Sequence, residues 1–179
     1  MPPRQVSAGR RSKNTDAATA PAEPAEALEQ AKACCLRLLG YRLRSEQELR
    51  RALAQRGIPP AIVEQAIARL RELGLVNDRE FAAAWVQSRL GGRALGRRAL
   101  LSGLARLGVD SAVAGETVEA LMPEQGERAA AGELARRRLG GQTLDRQVRA
   151  RLLRLLVGRG FSYPVAVEAV RGLEREQTA

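Results

Sequence analysis

The chain has 179 residues, a formal net charge of +10 and no histidine; 45% of it is hydrophobic but only 3% aromatic. Its core must be built from Leu, Ala, Val and Ile, and Ala/Leu-rich sequence without long β-branched runs predicts an all-α chain. The missing histidine removes the commonest general acid–base and metal ligand, while the excess of positive charge favours a polyanionic partner: nucleic acid, an acidic protein surface or anionic lipid.

Residues 1–26 hold Ala, Pro, Ser, Thr and charge without periodicity, the composition of a disordered N-terminal tail. The first helix is expected over 27–42, "ALEQAKACCLRLLGYR". Its adjacent Cys34 and Cys35 cannot staple distant segments and do not form a zinc knuckle. They read as small buried residues, and a reducing, cytoplasmic compartment is expected. Ser45-x-x-Glu48 is a capping box that opens the second helix.

From there a repeat dominates the chain. "LAQRGIPPAIVEQAIARL" (53–70), "LARLGVDSAVAGETVEAL" (104–121) and "LVGRGFSYPVAVEAVRGL" (156–173) align on Gly57, Gly108 and Gly160. Leu53, Leu104 and Leu156 lie four residues before these glycines, and Leu49, Leu100 and Leu152 eight before. Leucines four apart share a helix face. The glycine suits the left-handed position that ends a helix. Asp110 and Ser162 are good N-caps for the next helix, and Pro60 suits its first turn.

Each unit also has a preceding helix. In the second it is 77–92, where Asn77-x-x-Glu80 is again a candidate box and Phe81 and Trp85 fall on one face as core anchors. In the third it is 123–140. The expectation is therefore tandem three-helix repeats, three units and about nine helices that stack in a curved array: 27–76, 77–122 and 123–179.

No membrane segment is expected, since charge-free stretches such as Phe81–Ser88 are far shorter than the roughly 20 residues a span needs. The N-terminus also lacks the apolar core of a secretory leader. Catalysis is not expected either. No nucleophile–histidine pair, H-E-x-x-H, phosphate-binding loop or dinucleotide fingerprint is present. No cofactor or metal is implied.

Binding has a stronger signal. Arg89, Arg93, Arg97 and Arg98 form an acid-free run. Between Arg136 and Arg159 there are eight arginines against one acid, Asp145. Within these runs Arg89, Arg93, Arg97, Arg98, Arg136, Arg137, Arg138, Arg146, Arg149 and Arg151 are the candidate contact residues. If the units stack, the arginines line one edge. Without interleaved aromatics such a strip grips backbone phosphate and does not read bases.

The motifs also resemble a known family. Arg42, Ser45, Glu48 and Leu49, then Gly74, Leu75, Val76, Asp78, Phe81 and Ala82, then Gly96, Leu100, Leu104, Gly108 and Val109, then "RGF" at 159–161 resemble the RecX family of bacterial regulatory proteins. The resemblance spans about residues 28–173 in the family's order. It implies an elongated arrangement of the tandem three-helix repeats and a cytoplasmic modulator of the RecA recombinase, lying in the groove of the filament that RecA forms on single-stranded DNA. It further implies inhibition of RecA's ATPase, strand-exchange and coprotease activities. The chain departs from the family in its long N-terminal tail and in "LGGRALGRR", where Arg93, Ala94 and Leu95 replace the common lysine and aromatic.

A competing reading is a sequence-specific helix–turn–helix regulator, with "ELRRALAQRGIPPAIVEQAIARL" as the motif and duplex DNA as partner. Against it, the second helix of that motif would open with Pro59, Pro60, Ala61 and Ile62 where polar base contacts are needed. The motif also occurs three times. No heptad seam is present, so a monomer is expected.

Overall fold

In the computed structural model the described residues, 23–92 and 94–178, form nine α-helices and no strand. In chain order these are α1 (Pro24–Leu39), α2 (Glu46–Ala54), α3 (Pro60–Glu72), α4 (Asp78–Leu90), α5 (Arg97–Arg106), α6 (Ser111–Leu121), α7 (Glu124–Leu139), α8 (Arg146–Gly158) and α9 (Tyr163–Thr178). Residues 1–22, which hold most of the expected tail, lie outside the described residues. The chain is helical from Pro24, earlier than the expected start at 27, because proline fits the first helical turn. Among the described residues no helix is long and apolar enough to cross a membrane.

The buried side chains fall into three clusters. One is centred on Ala31, Cys35, Leu49, Leu53, Ile67 and Leu70. The next is centred on Phe81, Ala82, Val86, Leu100, Leu104 and Val118. The last is centred on Ala131, Ala135, Leu152, Leu156, Phe161 and Val170. Within each group the first helix lies against the third: α1 on α3, α4 on α6 and α7 on α9. The middle helix closes over the third. Alanines at 31, 82 and 131, all fully buried, let the first helix approach closely where larger residues would hold it away.

Local chemistry explains the boundaries. Ser45 and Glu48 form the complete capping box, with Glu48 N–H donating to Ser45 Oγ (3.1 Å) and Ser45 N–H to Glu48 Oε2 (3.3 Å). At Asn77 only the forward half forms, its side chain accepting from the N–H groups of Arg79 and Glu80. Asp110 caps α6 through the N–H groups of Ala112 and Val113. Gly57, Gly108 and Gly160 all have positive φ, at 75°, 81° and 86°, the left-handed turn the repeat required of them. Cys34 and Cys35 are buried and unpaired. Burial, with Cys34 alongside, pushes the Cys35 thiol up to about 11, so it behaves as a small apolar side chain.

Neighbouring units meet through helix ends. At the first junction the Glu46 N–H of α2 donates to Asp78 Oδ1 of α4 (2.8 Å), and Ser45 Oγ donates to the Leu107 carbonyl after α5 (2.6 Å). At the second, the Arg97 N–H of α5 donates to Glu127 Oε1 of α7 (2.9 Å), and Gly96 N–H donates to the Arg159 carbonyl after α8 (3.0 Å). Glu127 is buried, and so are Ser45 and Gly96. Among the described residues every cross-unit hydrogen bond joins units adjacent in sequence, so the three groups form a row.

Candidate nucleic-acid interface

The arginines flagged by the sequence separate into two kinds. Arg97, Arg136, Arg137 and Arg149 are engaged by carboxylates. Arg97 reaches Glu119 on α6, and Arg149 reaches Glu174 on α9. Arg136 grips Glu176 on α9 with both Nη2 (2.6 Å) and Nε (3.2 Å). Arg137 pairs one turn back with Glu133 at 3.3 Å. The hydrogen bond from Arg136 holds the Glu176 carboxyl below its usual range.

Arg89, Arg98, Arg138, Arg146 and Arg151 are exposed and pair with no carboxylate among the described residues. Arg151 instead donates to the side-chain oxygen of Gln142 (3.0 Å). Arg93 lies outside the described residues.

Part of the second kind converges. The segment after α4, Gly92 with Ala94 and Leu95, runs past the C-terminal half of α7. Around it lie three adjoining shallow recesses. Ser88, Arg89, Gly92 and Leu95 line one. Leu90, Ala94, Met122, Ala130 and Arg137 contribute to the next. Gly92, Ala94, Leu134, Arg137, Arg138 and Arg159 line the third. The seam between the second and third units therefore carries Arg89, Arg137, Arg138 and Arg159 along a shallow trough whose lining also includes Leu90, Ala94, Leu95, Met122 and Leu134. Arg146, Arg149 and Arg151 stand elsewhere, on α8.

Two local devices set this edge. The guanidinium of Arg89 stacks over the Trp85 ring, 4.7 Å from its centroid, and its Nη1 donates to Ser88 Oγ (3.5 Å), which orders the arginine. Trp85 is itself half-buried against the second core, so it anchors and supports at once. At the other end, the backbone at Arg159 is held in place because its carbonyl receives the Gly96 N–H. Arg159 was absent from the candidate set. Its position just before the repeat glycine, where the units join, is the signal that marks it.

Asp78, in the first turn of α4, is more than a helix-start residue. In the structure it carries the first junction. Burial pushes its carboxyl above the ordinary value, while the Glu46 N–H pulls the other way. Among the described residues no group of three potential ligands is placed to hold a metal ion.

The family model described as RecX, first three-helix domain, matches residues 31–70, and RecX, second three-helix domain, matches 77–118. Regulatory protein RecX of Streptomyces coelicolor is 42% identical over 155 residues, covering 86% of this chain and 82% of that protein. The chain belongs to the RecX family. The RecX of Mycobacterium ulcerans is 43% identical over 145 residues, covering 79% of this chain and 83% of its own. The crystal structure of RecX from Lactobacillus salivarius superimposes with a TM-score of 0.77 at 21% identity, over 84% of this chain and 98% of that one. The tandem three-helix fold is thus the RecX fold, and the chain is a RecX-family regulatory protein.

Proposed function

We propose that this RecX-family chain is a cytoplasmic, non-enzymatic regulator that binds the RecA filament on single-stranded DNA and inhibits RecA's ATPase, strand-exchange and coprotease activities. Family membership supplies the partner class. The observation that carries the reading is the trough between the second and third units. Arg89, Arg137 and Arg138 on it are exposed, lack aromatic platforms beyond the half-buried Trp85, and suit phosphate or acidic protein. Arginine's planar fork engages such groups in pairs, and each phosphate contact releases counterions. Three units joined end to end present this trough alongside more than one filament subunit, which would oppose filament growth or rearrangement.

The helix–turn–helix reading draws less support. α3 turns Ile62, Val63, Ala66, Ile67 and Leu70 into its own core and begins with two prolines.

The test is RecA's single-stranded-DNA-dependent ATPase with the chain titrated at low and high salt. Inhibition below one protein per RecA, weakened by salt, is expected. No effect at equimolar protein with RecA of the same organism would refute the reading. Protection of specific duplex sequences in footprinting would favour the rival.

A further inference from the structure

The two internal junctions are built from the same three pieces. The middle helix of one unit starts at a small, buried N-cap, Ser45 or Gly96. Its first N–H enters a carboxylate of the next unit, Asp78 or Glu127. Its N-cap meets the carbonyl before the next unit's repeat glycine, that of Leu107 or Arg159. Asp78 and Glu127 occupy the same place, each four residues before the fully buried alanine of its first helix, Ala82 or Ala131. The fit is close. A Cβ on Gly96 would lie 2.2 Å from the Phe161 nitrogen, and one on Gly108 would lie 2.3 Å from the Gln47 Cβ.

The outer ends of the row break this pattern. The N-cap of α8 is Asp145, exposed, its carboxylate accepting from its own Val148 N–H (2.7 Å). A following unit seated as at Gly96 would overlap the Asp145 side chain. One seated as at Ser45 would set an acceptor-only carboxylate against a carbonyl oxygen. At the other end, the place four residues before Ala31 is Ala27, which offers no acceptor to a preceding helix. The repeat glycine there, Gly57, has nothing within 4 Å of its Cβ position among the described residues, unlike Gly108 and Gly160.

A head-to-tail junction is heterologous, and an open one runs on into a fibre. Repeat arrays therefore need atypical end units. We infer that Asp145 and Ala27 close the two ends of this row against further copies of the same chain. Asp145 fills the seat that a following unit needs, and Ala27 withholds the carboxylate that a preceding unit needs. The inference is independent of what the trough binds.

The test is sedimentation velocity with small-angle scattering on the full chain over a broad concentration range. Wild type is expected to remain monomeric. The double variant Ala27→Glu/Asp145→Gly is expected to self-associate as concentration rises, growing in maximum dimension while cross-section stays constant. A wild type that self-associates end to end, or a folded double variant that stays monomeric, would overturn the inference. Should the double variant not fold, Gly96→Asp carries the same test inward. It is expected to part the second and third units, raising the radius of gyration with helix content unchanged. An unaltered radius of gyration in Gly96→Asp would equally overturn it.

Discussion

Gly103 lies so close to Trp85 that a Cβ there would sit 2.2 Å from Cη2. Two effects of opposite sign meet at that residue. Alanine would gain about 1 kcal/mol of helix propensity, but overpacking a fitted site costs about 1–3 kcal/mol. Gly103→Ala should therefore be destabilising in urea unfolding, with a shift in tryptophan emission as the ring and the Arg89 stacked on it move. Gly132 and Gly172 face open space on α7 and α9. Alanine at either should instead raise stability by roughly 0.5–1 kcal/mol, read by the same unfolding curves. Glu48 makes a pH-dependent contribution. The hydrogen bond from Arg42, at 2.7 Å, is the first cause holding its carboxyl below the ordinary 4.5, and it outweighs the effect of burial. A lowered folded value means that the stabilisation is present above pH 4.5 and is lost as pH falls through the folded value. Gln preserves the capping geometry but not the ion pair. Glu48→Gln should therefore lower stability by about 0.5–1 kcal/mol at neutral pH, and the difference from wild type should vanish in acid.

Helix ends are where this fold is both legible and hidden. Gly57, Gly108 and Gly160 could be placed from sequence because a left-handed turn between leucine-faced helices leaves no cheaper residue. Ser45 and Asp110 could be placed because their oxygens satisfy free N–H groups. Asp78 and Glu127 could not. Their partners lie 32 and 30 residues away, and an acid in a first helical turn already has a sufficient local explanation in the helix dipole. Gly57 and Gly108 separate the two scales experimentally. Both carry positive φ, so alanine at either costs about 1–2 kcal/mol. Only Gly108 also abuts Gln47 across the junction. Gly108→Ala should be the more destabilising by about 1–3 kcal/mol in denaturant titrations. Equal losses would mean that the junction yields without cost.

The row of three units is what makes a trough out of arginines scattered over the sequence. Arg89 and Arg138 come from different units, and Arg159 joins them because the loop after α8 docks on the start of α5. Local charge density pointed to the arginine-rich segments at 89–98 and 136–159. It could not tell which arginines would be claimed by carboxylates, because Arg136 meets Glu176 only once α7 packs on α9. We propose that the trough, and not net charge alone, holds the filament. This is tested most directly by measuring binding to RecA–single-stranded DNA filaments for two triple variants of equal charge change. Arg89→Ala/Arg138→Ala/Arg159→Ala is predicted to lose roughly ten-fold or more in affinity and to flatten the salt dependence. Arg79→Ala/Arg128→Ala/Arg136→Ala removes arginines paired with Glu116, Glu124, Glu168 and Glu176, and is predicted to bind close to wild type. Equal losses in the two variants, or an unimpaired first variant, would contradict the claim.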